Sequence, residues 1–200
     1  MHPYATDSHE RMTVPAVLMV AAISAAFGLA KGIEASGLQA KLWWLDLPAV
    51  WGFYVIFWGL FDRWLWRCRL LRAIGLVKVP DLGGRWHGQG VSSYADRTGE
   101  RQEFNIEVTI TQRWTKCLVH LETRRSQSNS IIGAIVVGDV RRPALSYEYR
   151  NQPQPHAAES MHTHLGMARL EMVDAALLEG EYYTGRDRRE YGTLRLTRQH

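Results

Sequence analysis

The apolar positions of this chain change their spacing once, near Val79: before it they run in unbroken blocks, and after it they alternate with polar residues. The first block, Val14 to Ala30, carries no charge. At about 1.5 Å per residue such a helix nearly crosses a hydrocarbon core of roughly 30 Å. A membrane span is therefore expected over residues 14–33. Ala21, Ala22, Ser24, Ala25, Ala26 and Gly28 give it a small-residue surface along which another helix can approach closely. The second block, Leu42 to Phe61, predicts a span over 42–64, with Asp46 as its cap and Pro48 in its first turn. Trp43 and Trp44 at one end, with Trp58, Trp64 and Trp66 at the other, suit two interfacial aromatic belts.

Two competing readings of these blocks are weaker. A cleaved signal peptide would need a short basic leader, whereas Asp7 and Glu10 precede the first block. A buried hairpin of a soluble protein would have to cover a long Trp- and Phe-rich run inside a small domain. Basic residues then set the orientation. Arg63, Arg67, Arg69, Arg72 and Lys78 crowd the exit of the second span, while the connecting loop has Lys31 and Lys41. Both termini are expected in the cytoplasm, by the rule that counts Lys and Arg near span ends. The segment Asp62–Arg72 can run along the membrane surface with its arginines on anionic lipid.

Beyond Val79 the period of two predicts strands near 85–91, 102–112, 116–123, 130–137, 144–150, 162–172, 177–184 and 191–197. The second is the clearest, with Phe104, Ile106, Val108 and Ile110 alternating with Asn105, Glu107 and Thr109. Eight short strands at this spacing suit a sandwich or an up-and-down antiparallel barrel. A barrel of that size is just wide enough for side chains or one small ligand. The predicted organisation is a transmembrane hairpin in residues 1–78 and a cytosolic barrel in residues 79–200.

Parity assigns the faces of the barrel. Phe104, Val108, Leu121, Leu145, Leu178, Leu194 and Leu196 point inward, and the same rows carry Tyr147, Tyr149, Tyr182 and Thr184 inward with them. With Trp86 inward, Gly88 and Gly90 follow and leave space above the indole. Filling a barrel with tyrosines is also ordinary packing, so parity alone leaves both a pocket and a packed core open.

The chemistry-bearing residues exclude more than they assign. The net charge of +4 is too modest for a general binder of DNA or RNA polymers. Two cysteines, Cys68 and Cys117, make no disulfide framework and suit a reducing compartment. The glycine-rich stretch Pro80–Gly90 lacks the Gly-Lys-Ser/Thr ending of a phosphate loop, and no helical pattern follows it. Its "GGRWHG" instead resembles the first strand of a lipocalin-like barrel, with Trp86 closing one end. His162 and His164, near His156, have no carboxylate or cysteine at metal-ligand spacing, and no metal is expected. No nucleophile elbow and no carboxylate pair stand out, so no catalytic residues and no enzymatic activity are expected. Arg124-Arg125, Arg141-Arg142 and the Arg186, Arg188, Arg189 group fall near turns. They read as a solvated rim or as a positive mouth that draws in an anion.

Two apolar blocks, "LGGRWHGQG", an all-β domain and a closing "LEGEYYTGRDRREYGTLRL" together resemble the CD-NTase-associated effectors of cyclic-oligonucleotide-based antiphage signalling systems (CBASS). The resemblance implies a bacterial inner-membrane protein whose barrel binds a cyclic dinucleotide made by a partner nucleotidyltransferase. It also implies ligand-induced homo-oligomers that disrupt the bilayer. It carries no cofactor and assigns no pocket position by position. Strand parity and ligand chemistry select Trp86, Tyr147, Tyr149, Tyr182 and Thr184 for the ligand, with Arg150 and Arg186 at the mouth. The alternative function is a membrane-tethered lipocalin-like module for a lipid or other apolar ligand.

Overall fold

The computed structural model describes residues 1–35, 46–95, 101–138, 141–157, 162–185 and 190–199. They form two compact units: His9–Lys78, and Met1–Ser8 together with Val79–His200. The first eight residues, expected in the hairpin region, thus belong with the barrel.

The helical unit contains α1 (Glu10–Ala35) and α2 (Asp46–Arg63), then a single 3-10 turn at Leu65–Arg67 and the short α3 (Arg69–Ala73). Among the described residues, α1 is the one helix long and apolar enough to cross a membrane, with mean hydropathy 2.0. The start of the second expected span, residues 42–45, lies outside the described residues. Val17, Val20, Ile23, Phe27 and Leu29 of α1 are exposed, as are Trp51, Val55, Ile56 and Leu60 of α2. Helices that expose large apolar side chains in this way suit lipid better than water.

The barrel is closed by nine described strands where eight were expected. They are β1 (His2–Thr6), β2 (Gly84–Ala95), β3 (Arg101–Gln112), β4 (Lys116–Glu122), β5 (Ser126–Val136), β6 (Ala144–Pro153), β7 (His164–Met172), β8 (Leu177–Thr184) and β9 (Tyr191–Arg198). From β2 to β9 the neighbours are antiparallel meanders, with β2 returning to β9. The added strand makes the sheet mixed. β4 pairs with β5 only over His120–Glu122, and a register shift between Ser130 and Ile132 turns β5 away from β4. β1 fills the opening, antiparallel to β4 through His2 and Pro3, and parallel to β5 through Tyr4, Ala5 and Thr6. Pairing on both sides leaves no open edge at this point. Five residues with no clear apolar alternation gave the sequence no signal for it.

Two ends of the barrel differ. At the base lie the start of β2, the β3–β4 turn, the end of β5 and the end of β9. Trp86, Ile110, Trp114, Leu145, Leu170, Leu178 and Leu196 are buried here or just above. The chain leaves the barrel for the helical unit from this end, after Ser8 and before Val79. The opposite end gathers the starts of β3, β5, β7 and β9.

Candidate ligand site in the barrel

Trp86 is 1% exposed, and its indole N–H donates to the Leu82 carbonyl at 3.0 Å. The Arg198 guanidinium lies over the ring, 5.0 Å from its centroid, and donates to the carbonyls of Asp81 and Gly83. Gln112 ties the incoming chain to the same base, accepting from the Leu82 N–H at 2.8 Å and donating to the Pro80 carbonyl at 3.0 Å. Trp86 therefore plugs the base, as its place in the first barrel strand suggested, and is wholly engaged in packing. The expectation that Gly88 and Gly90 clear space above it does not hold. A Cβ on Gly88 would run into the Arg195 carbonyl oxygen, and one on Gly90 would lie 2.5 Å from the Phe104 ring. The glycines admit a neighbouring backbone and a phenyl ring, leaving no room there for a ligand.

The other end of the interior is polar. On β5 the inward row is Ser126, Ser128 and Ser130, and on β6 it is Tyr147, Tyr149 and Asn151, all buried. Register sets them side by side: Ser130 faces Tyr149, Ser128 faces Asn151, and Gly133 faces Tyr147. The two tyrosine rings lie 6.2 Å apart at 54°. The Tyr149 ring rests over Gly166, where a Cβ would sit 2.4 Å from it, so β7 must carry glycine at this position. Burial raises the ionisation of the Tyr147 phenol well above its ordinary value, with Tyr149 adding to the effect. The Tyr147 phenol stays a neutral hydrogen-bond donor at physiological pH. The hydroxyls of Tyr147 and Ser128 make no hydrogen bond with the described residues. Donors of this kind, held inside a barrel, favour a ligand that brings acceptors.

The remaining predicted residues divide. Tyr182 is partly buried and meets Phe104 edge-to-face at 6.3 Å, on the inner wall. Thr184 spends its hydroxyl on the β8–β9 turn, donating to the Glu190 carbonyl at 3.1 Å and accepting its N–H at 2.9 Å. It shapes the rim and has little capacity left for a ligand. Arg150 is exposed and alternates with inward Tyr149 and Asn151, which puts it on the outer wall at the polar end. Arg186 lies outside the described residues. The basic pairs separate as well: exposed Arg124 and Arg125 sit in the β4–β5 turn at the polar end, whereas Arg141 and Arg142 precede β6 at the base.

Sequence reasoning missed Ser126, Ser128 and Asn151, because the strands expected at 130–137 and 144–150 begin too late and end too early to include them. The signal was present in "SQSNS", where serine recurs at every second position, and in Asn151, which continues the Tyr147–Tyr149 parity. A shallow depression of about 220 Å³ also lies on the outer wall, lined by Glu148, Leu165, Met167 and Tyr183 among others.

Two comparisons bear on this barrel. A protein-family model described as "Cap15, cyclic dinucleotide receptor domain" matches residues 77–198. The chain is also similar to the "CD-NTase-associated protein 15" of Yersinia aleksiciae, 34% identical over 148 residues that cover 74% of this chain and 68% of that protein. The matched segment runs from the last residues before the barrel to the end of β9. With a closed barrel whose interior is polar at one end, these matches establish that the chain belongs to the Cap15 cyclic dinucleotide receptor family.

Proposed function

We propose that this protein is a membrane-anchored CBASS effector. Its barrel takes up a cyclic dinucleotide made by a partner nucleotidyltransferase, and ligand-bound copies assemble and breach the bacterial inner membrane. The observation that carries the binding step is the buried row of Ser126, Ser128, Ser130, Tyr147, Tyr149 and Asn151 at one end of a closed barrel. Hydroxyl and amide groups read phosphate oxygens and base edges, and tyrosine faces stack on bases. Arg124 and Arg125 at the same end add an attractive field for an anion. An apolar ligand would leave the Tyr147 and Ser128 hydroxyls without a partner among the described residues, at a cost of about 1–3 kcal/mol each, which counts against the lipid-carrier reading. The role is one of binding, with no reaction on the ligand.

The membrane step draws on connectivity. The helical unit is an insertion between two strands of one barrel, so a hairpin that crosses the bilayer and returns leaves both its ends on the barrel's side. Arg63, Arg67, Arg69, Arg72 and Lys78 at its exit support the cytoplasm as that side. A dinucleotide that binds an assembly-competent state more tightly than the resting one shifts the population toward it. Sedimentation of the detergent-solubilised full-length protein, with and without each of a panel of cyclic dinucleotides, tests this reading. A shift to larger species with one of them is expected. Unchanged sedimentation accompanied by calorimetric binding overturns ligand-driven assembly, and no binding across the panel overturns the receptor reading.

A further inference from the structure

The matched family segment begins at residue 77 and so leaves out β1, the strand that completes the barrel. We propose that His2 is a ligand-sensing residue of the barrel interior and that β1 transmits its state to α1, an inference that rests on the polar end being the dinucleotide site.

Two contacts put the His2 imidazole at that site. Its Nε2 lies 2.7 Å from the Ser130 hydroxyl, in the inward serine row. Its Cε1 and the Tyr147 Cβ both border the inner side of Gly133. Ser130 in turn pairs with Tyr149. The Ser130 oxygen accepts the Val119 N–H at 2.9 Å and still has its own hydrogen to offer His2 Nε2. His2 Nδ1 lies 2.9 Å from the Pro3 carbonyl, which can only accept, so the hydrogen of that contact sits on Nδ1. In the proposed resting state Nε2 carries none and accepts the Ser130 hydrogen.

An anionic diester in the interior changes that balance. Along the described strands the inward rows carry no Lys or Arg apart from Arg198, which is committed to Trp86 at the base. The groups facing His2 from β4 and β6 are Cys117, Tyr147 and Tyr149, the first two held neutral near pH 7 by burial, with the N-terminal ammonium beside Cys117 and exposed Lys116 opposite Pro3. A phosphate close by favours a second proton on the imidazole. Nε2–H then donates to the Ser130 oxygen, and the Ser130 hydrogen is released to the ligand. His2 supplies charge, and Ser130 supplies a donor that the resting state withholds.

The same strand leads to the membrane unit. Tyr4 donates to the Trp114 carbonyl at 2.6 Å, and the Asp7 carboxylate accepts the N–H groups of Val137 and Gly138 at 2.8 Å each. α1 starts three residues later, at Glu10. A five-residue strand is a stiff rod of about 17 Å, so a change at His2 reaches the start of α1 through backbone that is anchored along its length.

Calorimetry of the full-length protein in detergent, with a panel of cyclic dinucleotides in buffers of differing ionisation enthalpy, provides the test. Binding with proton uptake is expected, and affinity should fall from about pH 6 to about pH 8. His2→Ala should weaken binding by about tenfold and abolish the uptake, with His2→Gln as the check should the alanine variant fail to fold. At a dinucleotide concentration that saturates it, Asp7→Ala should lose the change in sedimentation. Binding by the wild-type protein without proton uptake overturns the proposal, as does wild-type affinity and uptake in His2→Ala. If no dinucleotide binds the wild type, the site reading itself fails and takes this one with it.

Discussion

The two ends of the barrel interior are built from the same strands and do different work. At the base, Trp86, Leu178 and Leu196 are buried among apolar neighbours, and the Arg198 guanidinium is consumed by carbonyls and the indole face. At the far end, serines, an asparagine and two tyrosines are equally buried, and some of their hydroxyls have no protein partner among the described residues. Burial alone does not separate a core from a site. Satisfaction does: a group with its hydrogen bonds complete holds the fold, and an interior hydroxyl with none among the described residues is free to take an acceptor from a ligand.

The sharpest way to break this contrast is to cut at the base. Trp86→Ala removes a fully buried indole, its hydrogen bond to Leu82 and the surface on which Arg198 lies. Truncations of this kind cost about 3–5 kcal/mol, enough to lower the melting temperature of the barrel by many degrees or to abolish its cooperative transition. Melting close to wild type would mean that the base is not the structural end.

At the polar end the opposite split is expected. Tyr147→Phe and Ser128→Ala each remove a hydroxyl with no hydrogen bond to the described residues, so melting should hardly change. Affinity for the cyclic dinucleotide should fall by about tenfold for each, the worth of one buried hydrogen bond. Loss of stability with unchanged affinity in either variant would make the serine–tyrosine row ordinary packing.

This contrast was half legible in the sequence. Alternation in β3 and β6 gave the inward rows, Tyr147 and Tyr149 included, because a period of two is imposed by the pleat itself. Trp86 was legible as a plug from its place in the first strand of the long β run. β1 was not, since a five-residue strand held by pairing on both sides needs no apolar alternation of its own. The roles of Thr184 and Arg150 were lost for different reasons. Turn hydrogen bonds such as those between Thr184 and Glu190 depend on distances that parity does not carry. Arg150 was assigned by its chemistry against its own parity, which points it outward.

Asp7 gives a smaller effect at the base. Its two backbone hydrogen bonds, chiefly the one from Val137, hold the carboxyl below its ordinary value of 3.8. A lowered folded-state value contributes stability that is present above the unfolded value and lost as pH falls through the folded one. Thermal melts of the barrel should therefore soften below about pH 4, and Asp7→Ala should be less stable than wild type at neutral pH with that acid response reduced. An unchanged acid response in the variant would remove Asp7 as an anchor of β1.

The smallest effect separates the two cysteines. Cys68 is exposed in the helical unit, whereas Cys117 is 1% exposed on the inner face of β4. Burial pushes the Cys117 thiol up to about 11, only partly offset by the N-terminal ammonium. A thiol whose folded value exceeds its unfolded one contributes stability that is intact below the unfolded value, 9.0, and lost as pH rises through about 11. Near pH 8 a maleimide should label Cys68 and leave Cys117 untouched until the barrel unfolds, because the reactive thiolate is both rare and inaccessible there. Cys117 pairs with His2 across the β1–β4 ladder. Its labelling rate therefore reads the seating of β1, and should rise in Asp7→Ala and in any ligand-bound state that moves the strand. Equal labelling of both cysteines in the resting protein would mean that β1 does not seal the barrel wall.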